Sequence, residues 1–180
     1  MRYLIALALI SVSALGQAHP PRPKESAPDS VASLPAQIRH DLDLRHCLIP
    51  KYEGSVDAKD LAYTLGHFHS RLLVDYAVEC HVPVSKVANV IVYSDTSGAW
   101  SGEVIASAPF DTSHNSDYCE DAVGVATPAE IRDYARAFVP EELKELPQLD
   151  HDGVEIGICE KASVMHYFSN GKWLGLQGAD

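Results

Sequence analysis

Beyond its first few residues the chain carries no apolar run near the length of about 18 residues that a membrane-spanning helix needs. It has no paired C-x-x-C spacing, which removes a four-thiolate zinc site. It has no Walker loop, no dinucleotide fingerprint and no HExxH, so the local signatures of nucleotide binding and zinc proteolysis are missing. Trp100-Ser101-Gly102 lacks the G-x-S-x-G frame of a nucleophile elbow. Asp95-Thr96-Ser97-Gly98 places Ser where an aspartic protease needs glycine directly after Thr. Basic residues are also few: 14 Lys and Arg against 25 Asp and Glu, a formal net charge of −11. Such a chain repels phosphate backbones and anionic lipid, which argues against nucleic-acid and membrane partners. A cationic protein, peptide or metal ion suits it better. No internal repeat is present, and strands do not alternate regularly with helices, so a parallel doubly wound sheet is not expected.

What the chain does have begins with a targeting segment. Arg2 supplies a short positive region, and Leu4 to Val12 is apolar but too short to span a bilayer. Small residues around Gly16 and Ala18 set cleavage after one of them, so residues 1–18 read as a signal peptide. The mature chain is expected to be soluble and exported, to the periplasm or beyond. Four cysteines follow: Cys47, Cys80, Cys119 and Cys159. An even number behind a signal peptide implies two disulfides with three possible connectivities. Cys47–Cys80 with Cys119–Cys159 is the favoured set, each bridge contributing roughly 3–4 kcal/mol through loop closure.

Residues 19–32 carry Pro20, Pro21, Pro23 and Pro28 among Ser, Ala and charges, and read as a disordered, Pro-rich leader. From residue 33 the chain reads as a single domain. Leu34, Ile38 and Leu42 recur at helical spacing, and Pro50 ends what precedes it. Leu72 to Cys80 alternates, with Val74, Tyr76, Val78 and Cys80 on one face and Asp75 and Glu79 on the other. Val87 to Tyr93 is apolar apart from Asn89, the pattern of a strand covered on both faces. Trp100 to Ala108 makes a weaker strand that Pro109 closes, and Asp111 to Glu120 reads as a surface loop. Thr127-Pro128-Ala129-Glu130 is a capping box, followed by Ile131, Tyr134, Ala135 and Phe138 on one helical face.

The strongest local signal is at the end of the chain. Val164 to Ser169 and Lys172 to Gln177 flank Asn170-Gly171, the pair that best accepts a two-residue hairpin turn. That turn sets Phe168 opposite Trp173, Tyr167 opposite Leu174 and Met165 opposite Leu176. Both faces are apolar, which predicts a central or sandwiched hairpin. The sum is an α+β fold: a mainly antiparallel sheet of about five to seven strands with two helices, stapled by disulfides.

Candidate chemistry is sparse. His67 and His69, two apart on an expected strand, would share a face and could meet one divalent transition metal, completed by Asp60, Asp75 or His81. The plainer reading is a pair of surface histidines and no cofactor. Asp150-His151-Asp152-Gly153 has calcium-loop composition without the full alternation or the distal glutamate, and reads as an acidic turn. His166, inside the hairpin, would have a perturbed pKa if buried and is a candidate acid or base. Trp100, Trp173, Tyr76 and Tyr93 are candidates for a contact patch, against the alternative of core packing.

The residues Lys161-Ala162-Ser163, Tyr167, Gly171-Lys172-Trp173 and Leu176-Gln177-Gly178-Ala179-Asp180 carry a further signal. In these, in Cys47-Leu48-Ile49-Pro50 and in Tyr76 to Cys80, the chain resembles a group of small uncharacterised exported bacterial proteins. The resemblance spans roughly residues 33 to 180. It implies export and the pairing of Cys47 with Cys80, and it brings no activity or functional residue with it. Two functional classes therefore stand: a non-enzymatic binding module for an unknown protein partner, and a small metal- or His-dependent hydrolase.

Overall fold

The computed structural model describes residues 24–51, 62–109, 123–157 and 163–177. The expected signal peptide, Asp60, Cys119, Cys159 and the whole of the 111–120 loop lie outside the described residues, and so does the proposed Cys119–Cys159 bridge.

Two helices and ten strands are described, so the α+β expectation holds and the strand number was set too low. The strands fall into three antiparallel sheets rather than one. A small sheet pairs β1 (Lys24–Ser26) with β2 (Ile49–Lys51). The first large sheet has the order β3 (Tyr63–Gly66), β4 (Asp75–Val82), β5 (Val87–Asp95), β6 (Trp100–Pro109). The second has the order β10 (Lys172–Gln177), β9 (Val164–Ser169), β8 (Gly153–Ile156), β7 (Val123–Ala126).

Three apolar clusters stack these elements into four layers. Helix α1 (Ala36–Leu44) lays Ile38 and Leu42 on Val78, Cys80, Ile91 and Tyr93 of the first sheet. The opposite face of that sheet, with Ala77, Val90 and Val92, packs on Val123 and Val154 of the second. The far face of the second sheet, with Met165, Tyr167 and Leu176, meets Ile131, Tyr134 and Ala135 of α2 (Pro128–Phe138). The period-2 alternation of each strand thus feeds two different cores, and β4 and β5 are buried on both faces.

Local chemistry sets the boundaries. The capping box forms: Thr127 N–H donates to Glu130 Oε2 at 2.7 Å, and Glu130 N–H donates to Thr127 Oγ1 at 3.3 Å. These bonds hold the Glu130 carboxyl below its ordinary range. Helix α1 ends in a Schellman turn, with Cys47 N–H on Leu42 O at 2.9 Å and His46 at φ 58°. That turn delivers Cys47 to Cys80, and the disulfide forms. Asn170 and Gly171 both take positive φ, at 51° and 76°, and the register is the expected one, with Phe168 opposite Trp173. Of the two expected placements, the hairpin is sandwiched rather than central: β10 is the edge strand of its sheet, with Leu176 in the α2 core and Trp173 against the core between the sheets.

One further reading is corrected. The leader does not stay apart from the domain: β1 pairs with β2, and Pro28 and Val31 are buried against the α1 core. Composition hid this, because two apolar contacts and a three-residue ladder suffice to hold a strap that the following helix already positions. On β4 the polar side chains Asp75, Glu79 and His81 are all buried, His81 between Glu79 and Glu25 of the strap.

Candidate functional site

Among the described residues the buried polar or charged side chains are Asp75, Glu79, His81 and Ser94, all on β4 and β5. Burying such groups costs free energy unless each is hydrogen-bonded. They divide into two clusters.

His81 is the centre of the first. Its Nε2 lies 2.8 Å from Glu79 Oε1, and its Nδ1 lies 3.3 Å from Glu25 Oε1 of the strap. Burial opposes the imidazolium, but the bonds and charges of Glu79 and then Glu25 outweigh it, so the His81 pKa is raised. This cluster ties β1 to β4.

Asp75 is the centre of the second, at the opposite end of β4. Its Oδ2 accepts the N–H of Phe68 at 2.9 Å and of His69 at 2.8 Å, and lies 3.2 Å from His69 Nδ1. One carboxylate oxygen therefore closes the chain that leaves β3 back onto the start of β4. His67 N–H donates to Asp152 Oδ2 at 3.0 Å, and Asp152 N–H returns a bond to His67 O at 2.9 Å, so the second sheet's approach holds the same segment. His67 Nδ1 meets Leu73 O at 2.7 Å, and Phe68 is fully buried over Gly66, where any Cβ would collide with its ring.

The effect is a loop with a fixed base and an apolar apex. Leu72 is 83% exposed, with Leu73 and Val74 about half exposed beside it. Leu65 on β3 is also exposed and stands opposite Tyr76 in register. Tyr76 meets Trp100 edge to face at 5.2 Å between ring centroids. Leu65, Tyr76 and Trp100 thus lie on the α1 side of the first sheet, where Tyr76 and Trp100 pack half-buried against the edge of the α1 core, and the exposed Leu72, Leu73 and Val74 precede β4 at the same end of that strand.

The structure sorts the expected residues as follows. Tyr76 and Trp100 come together at this patch. Tyr93 does not join it: the ring is buried under α1, and its hydroxyl donates to Asp41 Oδ2 at 2.8 Å. Burial first, and Asp41 second, push its phenol pKa up. Trp173 is on the other sheet, against Phe168 and His69. The four aromatics therefore form no single patch.

His67 and His69 are not on a strand. β3 ends at Gly66, and Asp75 draws Phe68 and His69 out of the ladder, so the two rings turn to different partners, Leu73 O and the Asp75–Ser94 pair. Among the described residues no three His, Cys, Asp or Glu side chains gather in a metal-binding group. His166 is half-buried over Gly175, and burial lowers its pKa, as an apolar environment requires. Among the described residues neither a nucleophile nor a carboxylate is bonded to its ring.

Sequence reasoning missed Asp75 as a brace, Ser94, and the Leu72–Leu73–Val74 apex. The one available signal was three successive apolar residues after Ser70-Arg71, just where an alternating strand should show a polar residue.

Ser94 Oγ lies 2.7 Å from His69 Nδ1, beside Asp75. The three residue types of a nucleophilic triad meet here, but Ser94 and Asp75 share one ring nitrogen. A triad needs the hydroxyl and the carboxylate on opposite nitrogens, so that one orients the base while the other loses its proton. No helix among the described residues is long and apolar enough to cross a membrane. Comparison with family models, curated proteins and solved structures found no match for the chain.

Proposed function

We infer that this chain is an exported, non-enzymatic binding module, acting in the periplasm or outside the cell. Its contact surface is the patch of Leu65, Leu72, Val74, Tyr76 and Trp100. The observation that carries this reading is the braced loop: Asp75, His67 and Asp152 fix its base while Leu72 projects into solvent. A preorganised apolar apex binds with little ordering cost, and a small cluster of apolar and aromatic anchors supplies most of an interface's affinity. The net charge of −11 favours a cationic protein as the partner.

The test compares the exported chain with Leu72→Asp and Trp100→Ala as immobilised baits for cationic envelope or secreted proteins. Leu72→Asp is expected to lose at least about tenfold in affinity while keeping its unfolding temperature, whereas Trp100→Ala should lose affinity and also some stability, because its ring packs on Tyr76 and the α1 core. Turnover of a peptide, ester or glycan by the purified chain, abolished by one substitution, would overturn the reading.

A second reading, a His-dependent hydrolase, draws on the Ser94–His69 contact of 2.7 Å. It predicts that Ser94→Ala removes turnover of an activated ester without altering binding through Leu72.

A further inference from the structure

The C-terminal end of β4 joins three strands through one buried residue. His81 exchanges backbone bonds with Leu48, the residue before β2, at 2.7 and 2.8 Å. β2 in turn pairs with Lys24, Glu25 and Ser26 of β1. The His81 side chain, only 1% exposed, spans from its own strand to the strap: Nε2 to Glu79 Oε1 at 2.8 Å and Nδ1 to Glu25 Oε1 at 3.3 Å.

A carboxylate only accepts hydrogen bonds, so these two contacts need a hydrogen on each ring nitrogen. The imidazolium has both. In the neutral ring one nitrogen keeps its hydrogen and the other presents a lone pair. The shorter Glu79 contact retains the hydrogen, and the lone pair then faces Glu25. Loss of the proton therefore falls on the strap rather than on β4. The raised pKa of His81 agrees with this arrangement: burial opposes the charge, and the bonds and charges of Glu79 and Glu25 override it.

The charged groups on the surrounding elements are Lys24 and Glu25 on β1, Lys51 on β2, Glu79 on β4 and Lys86 in the turn before β5. β5 itself sets Ala88 opposite His81. The remainder of the strap is held by other means. Pro28 and Val31 are buried, and Asp29 O accepts from Arg39 Nη1 of α1 at 3.2 Å. These contacts involve no histidine, so residues 28–31 stay anchored while β1 answers to His81.

We propose that His81 is a charge-dependent clasp for the strap, seating β1 on β2 while the ring is protonated and releasing it when the ring is neutral. Release uncovers the outer edge of β2, Ile49–Lys51, and an unpaired strand edge is a template for an incoming strand. This goes beyond the Leu72 patch, which lies at the other end of β4. The folded pKa is raised, so the clasp is closed below pH 6.5 and opens as pH rises through the folded value.

The experiment is NMR on the unaltered chain between about pH 5 and pH 9, with no partner present. It follows the His81 ring and the backbone amides of Lys24, Glu25, Ser26, Ile49 and Lys51, with exchange protection corrected for the intrinsic effect of pH. The expected result is one shared transition above pH 6.5, with protection of the β1–β2 ladder falling about tenfold on the alkaline side. Amides of Val31 and Leu42 hold steady, reporting that the far end of the strap and α1 remain in place. Glu25→Gln supplies the control, because its amide accepts from a charged ring and donates to a neutral one. In that variant His81 still titrates while the β1 transition vanishes. Ladder amides that ignore the His81 titration, or that still follow it in Glu25→Gln, would overturn the clasp. No partner enters the measurement, so the clasp and the Leu72 patch can fail separately.

Discussion

The half of the molecule built from α1 and β3–β6 and the half built from α2 and β7–β10 solve the same packing problem with different chemistry. The second half is nearly all apolar contact, with its polar bonds at the margins: the Thr127–Glu130 cap and the Tyr134 hydroxyl on Ser163 O. The first half contains every buried polar or charged residue among those described, together with the Cys47–Cys80 bridge. A fold does not need buried charge to be stable; replacing such groups with apolar ones is often neutral or stabilising. Their concentration in one half marks where structure serves something besides packing. The braced loop and the apolar patch lie in that half.

The contrast can be tested by substitution, beginning with the largest effect. Removing the Cys47–Cys80 bridge by paired Ala substitutions should cost roughly 3–4 kcal/mol in a denaturant titration, since it closes a 33-residue loop. Equal loss from any single margin bond of the second half would erase the distinction. Asp75→Ala strands two N–H groups, that of buried Phe68 and that of partly buried His69, and should cost roughly 2–4 kcal/mol. Asp75→Asn keeps an acceptor and should cost clearly less; if the two variants match, the carboxylate is not bracing the loop. Thr127→Ala removes one side of a surface cap and should cost about 1 kcal/mol, read from the same titration.

The two halves should also answer pH with opposite signs. The His81 pKa is raised above 6.5, so its contribution is complete below that value and is lost as pH rises through the folded pKa. The His166 pKa is lowered below 6.5, so stability falls as pH drops from 6.5 through its folded value. His81→Gln and His166→Gln should therefore change the slope of unfolding free energy against pH in opposite directions. Slopes that shift the same way would contradict the assigned environments.

The second half was the more legible one. Asn170-Gly171 sets a turn with little latitude, so the β9–β10 register followed residue by residue. Thr127 to Glu130 announced α2 in the same local way. What could not be read was non-local. The alternation of Val74 to Cys80 gives two faces, but only distant segments decide that Asp75, Glu79 and His81 are buried, among them the chain after β3 and Glu25 of the strap. His67 and His69 suggested a strand because nothing nearby shows that Asp75 will take their backbone out of the ladder. The strap was hidden because Pro28 and Val31 are few among polar neighbours, and their burial depends on an α1 surface formed later in the chain.

The edge of the first sheet carries a related lesson. The main chain of Trp100 and Gly102 is taken by side chains of α1 and the turn that ends it, Gln37 on Trp100 N–H at 3.3 Å and Arg45 on Gly102 O at 3.4 Å. A register shift opposite Val90 and Ile91 and the terminal Pro109 interrupt the rest. Natural sheets guard their edges in these ways. The edge of β6 is thus guarded at its start and its end, while Leu72 beyond the sheet stays exposed.

The most direct test of the account measures binding and unfolding side by side for the unaltered chain and Leu72→Asp, with a cationic partner recovered by the unaltered chain. The account predicts an unchanged unfolding temperature and a loss of at least about tenfold in affinity. Undiminished binding by Leu72→Asp would contradict it and move the contact surface elsewhere on the molecule.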